Sequence, residues 1–166
     1  LAKGVRKVFG DQALVQRCTV HKRRNVADHL PVRERELIDA KLVRAFTHPD
    51  PELGHRAARD LAAGLERTHP SAANSIREGL TEMFTVRRLG VSEALERSLT
   101  TTNPIESMIS ITRTTQRNVT NWKDAAMARR WTAAGMLVAE AKFRRIRGYK
   151  DMPLLLAALA RYTTTG

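Results

Sequence analysis

Glu106 is the residue whose type and setting point most directly to chemistry. It sits in Thr101-Thr102-Asn103-Pro104-Ile105-Glu106-Ser107, a turn that tips into a helix. Asn103 suits an N-cap, because its side-chain oxygen can accept from the unbonded amides of the first turn. Pro104 suits the first helical position, where a missing N–H costs nothing. Glu106 then falls at the third. One reading is a capping box, with Glu106 folding back on the Asn103 amide. The other is a metal ligand whose direction is fixed by the helix start. Arg113 and Arg117 follow about two and three turns later on the same face. A carboxylate followed by two guanidinium groups would set an acidic metal site beside a phosphate track, although charge pairing within the helix explains the same spacing.

Cys18-Thr19-Val20-His21 is a second pair with ligand character. C-x-x-H spacing can give two zinc ligands, but a structural zinc site needs four, and no second cysteine pair exists. Zinc is not expected, and a small buried thiol beside a hydrogen-bonded histidine fits the spacing better. The basic pairs and triplets Lys22-Arg23-Arg24, Arg87-Arg88, Arg129-Arg130 and Arg144-Arg145 each read singly as a solvated helix face. Together they belong to a large excess. Twenty-nine Lys and Arg against 17 Asp and Glu give the 166 residues a formal +12. That favours a polyanionic partner, because each neutralised phosphate releases condensed counterions. A membrane is the rival polyanion, but no apolar run approaches the roughly 20 residues that span a bilayer. One cysteine excludes an internal disulfide framework and fits a reducing cytoplasm. No Gly-rich phosphate loop and no dinucleotide fingerprint is present.

The elements that must position these residues are almost all helical. Leu1, Val5, Val8 and Phe9 stand at helical spacing, closed by Gly10. Ala13 to Cys18, bounded by Asp11, is the one strand expected. Thr19 to Leu30 follows as a helix with Val20, Ala27 and Leu30 inward and Lys22-Arg23-Arg24 outward. Helices are then expected through Leu37, Ile38, Leu42 and Ala45, ended by Pro49-Asp50-Pro51; from an Asp50 cap through Leu53, Ala57, Leu61 and Leu65; from Ser71 through Ile76, Leu80 and Phe84; and from Ser92. Short connections suit a small bundle. After the Glu106 helix, interrupted at 118–121, Asn121 can cap a long helix with Met127, Trp131, Ala134, Val138 and Ala141 inward. Gly148 ends it, and Leu154 to Leu159 packs the tail. The unpaired strand, and a first residue that is Leu rather than Met, are read as parts of a longer protein whose sheet lies upstream. An unpaired strand edge also predicts self-association.

Val15-Gln16-Arg17-Cys18-Thr19-Val20-His21-Lys22-Arg23-Arg24-Asn25-Val26 resembles the V-Q-R-C-x-x-H-K-x-R-N-V stretch of bacterial Mutator-type insertion-sequence transposases, and Thr101 to Ser107 resembles their T-T-N-x-I-E-S motif. Asn118-Val119 with Trp122, Ala128-Arg129-Arg130-Trp131, and Phe143-Arg144-Arg145 with Gly148-Tyr149 also fit, so the likeness runs from about Lys3 to about Tyr149.

The resemblance implies the C-terminal part of an RNase H-like (α/β) DDE catalytic domain, here mainly α. Residues 1–30 would be a remnant of the core with one strand, 31–100 an all-helical insertion, and 101–166 the Glu-bearing helix and the C-terminal helices. It implies DNA as substrate, both transposon ends and target, Mg2+ held in part by Glu106, Cys18 and His21 beside the site, a homo-oligomeric intact enzyme, and a cytoplasmic, nucleoid-associated place in a bacterium. DNA contacts are expected from Lys22, Arg23, Arg24, Arg113, Arg117, Arg129 and Arg130. The family's two aspartates have no counterpart here, since Asp11 and Asp28 stand at the wrong places. Two-metal phosphoryl transfer needs several carboxylates, so the chain alone is expected not to cut DNA. The rivals are a non-catalytic basic helical module that binds nucleic acid, and a zinc-dependent structural module.

Overall fold

The computed structural model describes residues 13–165, with Gly4, Lys7, Val8 and Gly10. Leu1, Val5, Phe9 and Asp11 of the expected first helix and its flank lie outside the described residues. Among those described every regular element is helical, and no strand is present. No helix is long and apolar enough to cross a membrane. The chain divides into two compact units, Leu1–Thr101 with Gly148–Gly166, and Thr102–Arg147.

In the first unit α1 (Thr19–Asp28), α2 (Val32–Phe46), α3 (Pro51–Leu65) and α4 (Pro70–Arg77) pack around one aliphatic core. Val26 and Leu30 from the α1 region, Leu42 and Phe46 from α2, Ala58 and Ala62 from α3, and Ile76 from α4 are buried together with Met83 and Phe84. Phe46 and Phe84 meet edge to face with ring centroids 5.8 Å apart, a favoured aromatic geometry. The Asp50 cap forms as its sequence predicts: the carboxylate accepts from the amides of Glu52 at 2.7 Å and Leu53 at 3.1 Å, with Pro51 opening the helix. These bonds hold the Asp50 carboxyl below the ordinary carboxylate range, the Leu53 amide contributing most.

The third expected helix does not run through to Phe84. It starts at Pro70 rather than Ser71 and ends at Arg77, because Gly79 takes a left-handed φ of 62° and turns the chain into a 3-10 turn, Thr81–Met83. A four-residue helix α5 (Thr85–Arg88) and α6 (Glu93–Leu99) follow. Ser92 caps α6 as expected, accepting from the Leu95 amide and donating to Asp151. After the second unit the chain returns at Gly148, passes through a 3-10 turn (Tyr149–Asp151), and ends in α9 (Met152–Thr165). The second unit is a helical hairpin, α7 (Asn103–Thr115) and α8 (Ala125–Lys142).

Three expectations are corrected by packing. Ala13–Cys18 is not a strand: its polar groups are satisfied by turn residues rather than by a ladder. The Arg17 amide donates to Glu82 O at 3.1 Å, Val15 O accepts from Thr85 Oγ1 at 2.7 Å, and the Gln16 side chain bonds Met83 O and the Val86 amide, each at 3.0 Å. A second correction concerns helix faces. On α3 Leu65 is buried as expected, but the rest of the buried stripe is Gly54, Ala58 and Ala62, one residue on from the expected Leu53, Ala57 and Leu61, leaving Leu53 45% exposed. Gly54 decides this, because a Cβ there would collide with Ala45 O. Small residues bring α2 and α3 close, and the larger ones are turned aside. Leu37 of α2 is likewise outward, at 60% exposure. On α8 the buried residues are Gly135 and Ala139, while Trp131, Ala134 and Val138 are exposed. Third, α8 is capped by Asp124, whose carboxylate accepts from the Met127 amide at 2.6 Å, not by Asn121. It ends at Lys142, six residues before Gly148, which instead lies against Leu95.

Candidate functional site

Helix α7 starts at Asn103, with Thr102 as its N-cap and Pro104 second, one residue earlier than the sequence suggests; such boundaries shift easily by one. The Thr102 hydroxyl donates to Glu106 Oε1 at 2.6 Å. Glu106 is exposed in the first turn, where the positive end of the helix dipole favours an anion. The opposite face of the helix is the packed one, with Thr112 buried against Gly135 of α8.

The outward face forms an open groove lined by Glu106, Ile109, Ser110, Arg113, Thr114 and Arg117. Glu106 and Arg113 are separated by about 10 Å of helix rise at 1.5 Å per residue, and Arg117 lies just past the last turn. One carboxylate thus heads a face that continues into two guanidinium groups, planar forks suited to phosphate oxygens. Both arginines are exposed and make no ion pair among the described residues.

The remaining basic candidates divide sharply. Lys22, expected outward, is only 4% exposed. Its ammonium donates to Ser75 O at 2.6 Å and Glu78 O at 2.7 Å, and burial lowers its pKa despite the nearby Glu78 carboxylate. Its charge serves α4 rather than a ligand. Arg23 is half-buried in a two-pronged pair with Asp39, Nε to Oδ1 at 2.6 Å. Arg24, Arg129 and Arg130 are exposed. Several cations of the first unit pair with its own carboxylates, as in Arg17–Glu82, Arg87–Glu96 and Arg88–Glu52. Residues 102–147 instead hold nine Lys and Arg against three Asp and Glu, a formal +6 and half of the excess of the whole chain.

Cys18 is the N-cap residue of α1 and is partly buried, and His21 is exposed in the first turn. Thr19 ties this end down, its amide and hydroxyl donating to Thr100 O at 3.0 and 3.2 Å. Among the described residues no three His, Cys, Asp or Glu side chains gather into a site that could hold a metal ion. Sequence reading did not single out Lys41, Arg44 and His48, which line a separate groove with Ala45, Ala57 and Leu61. They carry no motif, and only packing brings them to one wall.

Residues 1–144 match a family model described as Transposase, Mutator family. The chain belongs to that family. The match spans both the C-x-x-H end and the Glu106 helix, so the two motifs lie inside one family pattern. Membership makes transposition the function class of this transposase chain and implies interaction with DNA. No curated protein matches the chain.

Proposed function

We propose that this transposase chain contacts the DNA backbone along the outward face of α7, and that Glu106 contributes one carboxylate to the magnesium-holding set of an RNase H-like active site. The single observation that carries this reading is the shared groove of Glu106, Arg113 and Arg117. In it a metal-ligand type of side chain stands at the head of a phosphate-attracting face. In this reading residues 31–100 are a helical insertion between the last strand of that fold and the Glu106 helix. Cys18 and His21 are read, from the family resemblance, as a signature of that active site.

Phosphoryl transfer with two metal ions about 4 Å apart requires several carboxylates. In this reading Glu106 supplies one of them, and the chain by itself is proposed to bind DNA without cutting it. Within that reading Arg113 and Arg117 hold the backbone in register, and the Thr102 hydroxyl fixes the direction of the Glu106 carboxylate.

The test is duplex binding by the full chain, followed by fluorescence anisotropy against salt. Arg113→Gln with Arg117→Gln should make the dependence of log K on log salt shallower by about 0.9 for every phosphate left unneutralised. An unchanged slope would remove the DNA-binding role of α7. Magnesium-dependent nicking by the chain alone, abolished by Glu106→Gln, would overturn its catalytic incompetence.

A further inference from the structure

We propose a second DNA-backbone contact on the first unit, in the groove between α2 and α3 lined by Lys41, Arg44, Ala45, His48, Ala57 and Leu61. It rests on the reading of the chain as DNA-binding, but on none of the residues of α7. In this unit several cations are matched, Lys22 and Arg17 by Glu78, Arg23 by Asp39, Arg87 by Glu96 and Arg88 by Glu52, while Arg24, Arg56, Arg59 and Arg67 are exposed cations with no ion pair among the described residues. Lys41 and Arg44 are both exposed and make no ion pair among the described residues. What sets Lys41 and Arg44 apart is that they share the wall of one groove over an apolar floor, where a polyanion can supply the counter-charge.

Geometry specifies the kind of counter-charge. Lys41 and Arg44 are three residues apart on α2 and therefore neighbours on one face, with about 5–6 Å between Cβ atoms, so their long side chains can reach two phosphates of one strand together. The floor of Ala45, Ala57 and Leu61 gives their methylene stems an apolar surface to lie on while the charged heads reach out, as long basic side chains do. His48 closes the end of the row. Its Nδ1 lies 2.9 Å from Asp50 O, so the ring is held at the mouth of the groove. An acidic amphipathic helix would also seek cations, but it docks through bulky apolar anchors in a deep groove. Two alanines and one half-buried leucine do not supply that depth. The observations favour a phosphodiester backbone.

The experiment uses the full chain with a fluorescently labelled duplex. Lys41→Gln with Arg44→Gln should leave the thermal melt unchanged, because both side chains are solvent-exposed. It should make the salt dependence of binding shallower by about 0.9 for each phosphate that goes unneutralised, hence by ~2 for the pair. Independently, duplex should slow acetylation of Lys41 in the wild-type chain, read by mass spectrometry, and polyglutamate peptide should not. A shallower salt slope on Arg113→Gln with Arg117→Gln, but an unchanged one on Lys41→Gln with Arg44→Gln, would sink this proposal and leave the α7 reading standing. Absence of any duplex binding by the wild type would sink both. Protection of Lys41 by polyglutamate and not by duplex would overturn the DNA assignment in favour of an acidic protein partner.

Discussion

Gly135 of α8 lies so close to Thr112 of α7 that a Cβ built on the glycine would stand 2.7 Å from Thr112 Cγ2 and 2.9 Å from Thr112 Cα. The same threonine carries a buried hydroxyl with no hydrogen-bond partner among the described residues. These facts give opposite expectations for two facing positions. Gly135→Val should destabilise the hairpin by about 1–3 kcal/mol, since the contact is partly to backbone and the neighbour cannot yield. Thr112→Val keeps the shape and removes an unsatisfied polar group, so it should be neutral or stabilising by about 1 kcal/mol. Urea denaturation of the two variants checks both signs, and a stabilising Gly135→Val would refute the packing.

Acid should unfold the first unit through Glu78. The side-chain hydrogen bond from Arg17, with Lys22 adding charge, holds the Glu78 carboxyl below its ordinary 4.5. In the unfolded chain that carboxyl binds its proton at the higher, ordinary value. The stability it contributes is therefore complete above pH 4.5 and is lost as pH falls toward the lower folded value. Urea midpoints followed downward from neutral pH should drop more steeply for the wild type than for Glu78→Gln, which is less stable near neutrality but lacks this component. Parallel curves would show that the Arg17–Glu78–Lys22 cluster does not govern acid unfolding.

Glu106→Gln should strengthen duplex binding when divalent ions are chelated, the reverse of the arginine substitutions on the same face. The carboxylate repels phosphate at the head of the groove, whereas an amide does not, and the Gln oxygen can still accept from the Thr102 hydroxyl. Circular dichroism should show helix content unchanged. Weaker binding by Glu106→Gln in chelator would mean that the groove does not lie against the DNA backbone.

Helix existence and the caps at Asp50 and Ser92 were legible in the sequence, because a period of 3.6 residues and an Asp50-Pro51 or Ser92 start are local signals. The shared face of Glu106, Arg113 and Arg117 was legible for the same reason: seven and eleven residues are near-whole numbers of turns. Which face of α3 and α8 is buried was not. Hydrophobicity points to Leu53, Leu61, Trp131 and Val138, whereas close approach of two helices selects Gly54, Ala58, Gly135 and Ala139, each one residue on from an expected inward position. Lys22 misled for a related reason. A lysine in a basic triplet reads as solvated, and only the carbonyl ends of α4 at Ser75 and Glu78 show that its ammonium has an interior destination. The Ala13–Cys18 segment has a strand's composition, but composition does not say whether a second extended segment exists to pair with it.

The hydrogen bonds from Thr19 to Thr100 join positions 81 residues apart in the chain. Everything between them is therefore a closed excursion that departs and returns through the same doorway. Because the entropy of closing a loop grows only with the logarithm of its length, about 0.6 kcal/mol for each doubling, residues added within such an excursion weigh lightly on the pair of threonines that fastens its ends.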